Sequence, residues 1–124
     1  MILKSYIVEK NIHILDSYQS ILLYGQNEGI KSDIRDKIKK ANKEAEVINF
    51  FESEIFKDKN IIYKNIANES LFYEKKVIFI QEASDKIFNE IEAGLQENNP
   101  NIKICIFSDN LEKKSKLRSL FEKE

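Results

Sequence analysis

Ile21-Leu22-Leu23-Tyr24-Gly25-Gln26-Asn27-Glu28-Gly29-Ile30-Lys31-Ser32 decides how this chain is read. The four leading apolar residues read as a buried strand, and the charged, periodic stretch after Ser32 reads as an amphipathic helix. Between them stands the register G-x-x-x-x-G-K-[ST] of a phosphate-binding loop, with Lys31 and Ser32 in place and Ile30 where the second glycine belongs. In a working loop that glycine lets backbone N–H groups close on phosphates, and a branched side chain there obstructs them. The segment is either a P-loop ancestor that has lost its nucleotide or a coincidence.

Outward from this stretch, strand patterns alternate with helical ones. Ile30, Ile34 and Ile38 form one apolar stripe, and Lys31, Asp33, Arg35, Asp36, Lys37, Lys39 and Lys40 read as the solvated face. A second strand is expected at Glu46–Phe50, then a helix from about Glu54 to Ala67 carrying Ile55, Ile62 and Ile66 inward. The third strand, Lys76–Gln81, is continuously apolar at its centre, as a strand buried on both faces should be. Ser84 is placed to cap a helix bearing Ile87, Ile91 and Leu95. Ile102–Phe107 is the fourth strand, Asn110 a cap for a last helix with Leu117, Leu120 and Phe121, and Met1–Leu15 a short leading helix. Such alternation predicts an α/β fold, a parallel sheet with helices on both faces. With no strand after the last helix, the sheet reads as missing its last strand and the chain as a fragment of a longer protein.

At 124 residues the chain has the size of one domain, and no Gly/Ser/Pro linker or repeat divides it. A formal net charge of −1 gives no global drive toward nucleic acid or anionic membrane. No apolar run approaches the roughly 20 residues that span a bilayer. Without a signal peptide, a cytoplasmic location is the expectation. The one cysteine, Cys105, sits in an apolar strand and reads as a core residue. The one histidine, His13, has no Cys or carboxylate cluster beside it, so no metal site and no catalytic residue is expected.

Nucleotide chemistry needs more than the loop. An acid at the end of a neighbouring strand helps hold Mg²⁺, and Gln81 stands there, followed by Glu82. Gln is neutral and cannot balance the cation. Ile30 and Gln81 are thus two independent defects in one nucleotide site. A phosphate-receiver domain is excluded as well, because it needs acids after its first strand and an Asp at the end of its third, where Tyr24-Gly25 and Gln81-Glu82 stand. The run Lys113-Lys114-Ser115-Lys116-Leu117-Arg118 has the charge to touch DNA phosphates, but as a solvated helix face it needs no function. The turn Ser70-Leu71-Phe72-Tyr73 puts two large apolar residues between polar neighbours. Either they close the core or they form an exposed plug that anchors a protein interface.

Taken in succession, Met1-Ile2-Leu3-Lys4, Leu22-Leu23-Tyr24-Gly25-Gln26-Asn27-Glu28-Gly29, Ser70-Leu71-Phe72 before Lys75-Lys76-Val77-Ile78-Phe79-Ile80, and Asp109-Asn110-Leu111 through Lys116-Leu117 resemble the N-terminal domain of the delta subunit of bacterial DNA polymerase III. The likeness spans essentially residues 1–124 in order and spacing. It implies an AAA+-type, P-loop NTPase-like fold that binds no ATP and needs no cofactor. It also implies that Leu71 and Phe72, flanked by Ser70 and Tyr73, enter a hydrophobic pocket on the sliding clamp (the beta subunit). Delta itself opens the clamp and is not an enzyme, although the polymerase III holoenzyme is a DNA-directed DNA polymerase. Its lid and collar domains, through which it meets gamma/tau and delta prime, have no counterpart in these residues. DNA would be met indirectly. Two other readings compete: an active P-loop ATPase tolerating Ile30, and a DNA-binding interaction domain using Lys113–Arg118.

Overall fold

The structure, a computed structural model, describes residues 2–4, 20–26, 28–67, 74–97, 100–109, 111–112 and 114–122. Its strands are β1 (Ile2–Lys4), β2 (Ser20–Tyr24), β3 (Glu46–Phe51), β4 (Lys76–Gln81) and β5 (Ile102–Ser108). Its helices are α1 (Glu28–Ala41), α2 (Glu52–Lys57), α3 (Ile61–Ala67), α4 (Phe88–Gln96) and α5 (Lys116–Glu122), with a 3₁₀ turn over Asp85–Ile87. The strands form one sheet in the order β1-β2-β5-β4-β3, and every pairing is parallel. The expected α/β architecture with a parallel sheet is present.

Alternation along the central strands sends side chains to two separate cores. Ile21, Leu23, Val77, Phe79, Cys105 and Phe107 face one side, packed with Ile34 and Ile38 of α1, partly buried Ile30 and Ala45 just beyond the helix. Phe79 and Phe107 meet there with ring centroids 5.8 Å apart. Leu22, Ile78, Ile80, Ile104 and Ile106 face the other side, against Ile55, Ile62 and Ile66, then Ile87 and Ile91, then Leu117 and Phe121. Helices therefore cover both faces, and this second core is the larger. Gly94 lets α4 lie directly on α3, since a Cβ there would stand 2.8 Å from Ile62 Cγ2.

Four local expectations change. Ile2–Lys4 is a strand paired in register with Leu22–Tyr24, not the start of a helix, and residues 5–15 of that expected helix lie outside the described ones. The sheet accordingly has five strands rather than four. The expected helix over 54–67 is two, because the chain turns at Asp58–Asn60; the Asn60 N–H donates to Asp58 Oδ1 at 3.2 Å, an Asx-type turn that interrupts the helix. The last helix begins at Lys116, too late for Asn110 to cap it; Asn110 itself lies outside the described residues. Ser115 and the distant Asp85 do that work: the Asp85 carboxylate accepts from the Ser115 hydroxyl and from the Lys116 and Leu117 N–H groups. Ser84 caps the 3₁₀ turn that leads into α4, its hydroxyl accepting from the Lys86 N–H at 3.3 Å, whereas α4 itself starts behind Ile87 without a side-chain cap.

Candidate functional site

Parallel strands deliver their loops to one edge of the sheet, and in open α/β sheets that C-terminal edge is where ligands bind. β2 ends there at Tyr24. Gly25 follows at φ 142°, a conformation that only glycine adopts cheaply, and its N–H donates to Ser108 O at 3.2 Å. Helix α1 starts at Glu28, so Gly25–Asn27 is all that separates strand from helix, Asn27 lying outside the described residues. Glu28, Gly29 and Ile30, which in a phosphate-binding loop still wrap the anion, are already helical. The positive end of the helix is met by the carboxylate of Glu28 itself.

Lys31 was expected on the solvated face and is instead 5% exposed. Its ammonium lies 2.9 Å from Glu28 Oε1 and 3.3 Å from Asp109 Oδ1, and it donates to Ser108 O at 3.2 Å. An ammonium has three protons, and here all three have internal acceptors. Ile30 packs its side chain against the core under α1. One helical turn beyond Lys31, Arg35, also assigned to the solvated face, is half-buried instead. Its Nη1 donates to Gln81 Oε1 at 2.6 Å and its Nη2 to Ser32 Oγ at 3.3 Å. The Gln81 amide N–H₂ turns the other way and donates to Asn49 Oδ1 of β3. Directly after Gln81, exposed Glu82 takes φ 56°, the left-handed region, and the chain is then pinned by the Ala83 N–H donating to Phe107 O at 3.0 Å.

Gly25, Ile30, Lys31, Ser32 and Gln81 all lie at the C-terminal edge of the sheet or in the first turns of α1 beside it. Their polar groups meet one another and their neighbours. The lysine that would reach the phosphates has its protons committed, a carboxylate stands at the helix start, and the two side chains that would approach the metal meet a guanidinium. Sequence reasoning missed Glu28, Arg35, Asn49 and Asp109 as parts of this cluster. The only signal for Arg35 was its spacing of three from Ser32, which places both on one helical face.

The residues expected to form the plug, Ser70, Leu71, Phe72 and Tyr73, lie outside the described residues, between α3 and β4. The large apolar side chains exposed among the described residues are Val47, Phe51, Phe56 and Tyr63, all in β3, α2 and α3, the elements that lead into that turn.

The basic run near the C-terminus makes contacts within the protein, although Lys114 and Lys116 are exposed. The Arg118 guanidinium lies 5.2 Å from the Tyr24 ring centroid and donates to Leu111 O; Lys116 lies over the Phe88 ring, and Lys114 pairs with Glu112. Lys113 is outside the described residues. Cys105 is fully buried, and that burial pushes its thiol up to about 12, so it stays a neutral core group. Among the described residues no cluster of His, Cys, Asp or Glu has the arrangement of a metal site, and no helix is long and apolar enough to cross a membrane. Compared with known proteins, the chain matches no family model and no curated protein.

Proposed function

We propose that this chain is the clamp-binding, AAA+-type domain of a bacterial DNA polymerase III delta subunit, acting by mechanical docking rather than by hydrolysis. The single observation that carries the reading is the filled loop. It sits where a P-loop would sit, at the C-terminal end of β2, with its lysine turned onto Glu28, Asp109 and the Ser108 carbonyl. A domain that keeps the scaffold of an ATPase and occupies its nucleotide site with its own side chains suits a loader subunit that binds no ATP. The strand order adds support, because β5 lies between the loop-bearing β2 and the strand ending at Gln81, as in an AAA+-type sheet. A Rossmann or flavodoxin-like sheet has a different order.

In this mechanism Leu71 and Phe72 dock in a hydrophobic pocket of the clamp, flanked by Ser70 and Tyr73. The docked state favours a ring in which one interface is sprung. Docking can open a ring only by as much as it binds the open form more tightly than the closed one. ATP-driven control then belongs to the gamma/tau partners, which with delta prime gate access to the element. The ATPase alternative loses ground with the committed Lys31 ammonium, and the DNA-binding alternative with the engaged Lys116 and Arg118.

The test is titration of a bacterial sliding clamp with the wild-type chain and with Leu71→Ala/Phe72→Ala, folding of both being checked by circular dichroism. Loss of two buried anchors should weaken binding at least a hundredfold, hot-spot truncations costing about 2 kcal/mol or more each. Equal clamp binding by a folded double variant sinks the reading.

A further inference from the structure

A working P-loop holds its magnesium ion between the loop Ser/Thr and the acid at the end of a neighbouring strand. In this chain those positions are Ser32 and Gln81, and one guanidinium bonds both: Arg35 donates to Gln81 Oε1 at 2.6 Å and to Ser32 Oγ at 3.3 Å. We infer that Arg35 is a fixed, protein-borne cation standing in the place of the nucleotide's magnesium, a substitution that rests on the reading of this loop as P-loop-derived.

The orientation of each partner argues for more than an incidental helix-to-strand contact. A guanidinium has only donors, so the groups facing it must present oxygen. Ser32 offers its hydroxyl oxygen, and Gln81 offers its carbonyl oxygen while its amide N–H₂ is directed to Asn49 Oδ1. The two oxygens that would approach a metal ion therefore approach a cation here too. Charge supports the exchange. A divalent ion beside one carboxylate leaves one positive charge, and so does a guanidinium beside a neutral amide. Gln81 is then not simply a lost acid; it is matched to the monovalent cation that replaced the metal. The replacement differs in being covalently attached to α1 and unable to dissociate. Helix α1 is held to the end of β4 permanently, in a contact that an ATPase would make and break with its nucleotide. Arg35 is thus a positioning residue, and it makes the posture of the domain independent of nucleotide.

Two measurements test this on the whole chain. The first is Mn²⁺ binding, read from the electron paramagnetic resonance of free Mn²⁺, for wild type, Gln81→Asp and Arg35→Ala/Gln81→Asp. The expected result is no site in wild type and at least tenfold tighter binding in the double variant than in Gln81→Asp, because only the double variant vacates the position between Ser32 and residue 81. Equal binding by the two variants, or none by the double variant, overturns the inference. The second is amide hydrogen exchange of α1 in wild type and Arg35→Lys. A lysine presents one point charge and cannot fork onto both oxygens, so exchange should rise severalfold. Unchanged exchange in Arg35→Lys overturns the positioning role. Clamp titration of the same proteins separates the two proposals: clamp binding without the Mn²⁺ result removes only this inference, and the Mn²⁺ result without clamp binding removes only the functional reading.

Discussion

At the scale of single residues the C-terminal edge of the sheet shows chemistry turned inward. Lys31, at the position of a P-loop lysine, and Arg35, one turn on, both direct their charges to neighbouring protein groups. Glu82 shows the same region under backbone constraint. Its φ of 56° puts an L side chain in the left-handed region, where Glu costs about 1 kcal/mol or more and Asn is better tolerated. Glu82 is exposed, so substituting it disturbs no core. Glu82→Asn should therefore raise stability by about 0.5–1 kcal/mol in urea unfolding, with an unchanged m-value. A destabilised variant would show that the Glu82 carboxylate does something the left-handed backbone does not explain. The departures of Ile30 and Gln81 from the P-loop pattern were legible in the sequence, because that pattern is local. What stands in for the missing ligand was not, because Arg35 reaches Gln81 across 46 residues and Lys31 reaches Asp109 across 78.

At the scale of elements, periodicity identified the central strands and the inward faces of the helices, since each of these is set by burial. Ends were less legible. The break between α2 and α3 rests on a three-residue turn, and the start of α5 rests on Asp85, which no local sequence rule connects to Lys116. Short Ile2–Lys4 escaped as a strand because three residues are too few to show a period. The Asp85 contact gives a testable pH dependence. Partial burial pushes its carboxyl up, but the N–H donors of Leu117 and Lys116, the Ser115 hydroxyl and the Lys116 charge outweigh it and hold the carboxyl below its ordinary 3.8. A folded-state value below the unfolded one means that the stabilisation is complete above the ordinary value and is lost as pH falls through the folded one. Asp85→Ala should cost about 1 kcal/mol at pH 7, the size of a lost helix cap, and thermal melts should show the gap to wild type closing as pH drops below 3.8. A gap that persists undiminished at the lowest pH would assign the loss to packing instead of charge.

For the molecule as a whole, the competing readings differ in what links the sheet's C-terminal edge to the outside. An ATPase would leave Lys31 available to phosphate. The observed fold spends it on tying the start of α1 to the end of β5, where its ammonium meets both Ser108 O and Asp109. That difference makes opposite demands on one experiment. A ligand that binds only the folded state stabilises it by about 2.7 kcal/mol at a concentration 100 times its Kd. Millimolar Mg·ATP should therefore raise the melting temperature of an ATPase clearly, and Lys31→Ala should abolish the rise without changing the unliganded protein much. For this chain the expected outcome is the reverse: no rise with Mg·ATP in wild type, and a lower melting temperature for Lys31→Ala with or without nucleotide. The loss should be about 1–2 kcal/mol, since the buried stem and its internal hydrogen bonds go together while Glu28 and Asp109, both mostly exposed, return to water. Differential scanning calorimetry of the two proteins with and without Mg·ATP reads all four values. A nucleotide-dependent rise in wild type that vanishes in Lys31→Ala would return the Gly25–Ser32 segment to the working P-loops, and the clamp-docking reading would lose the observation that carries it.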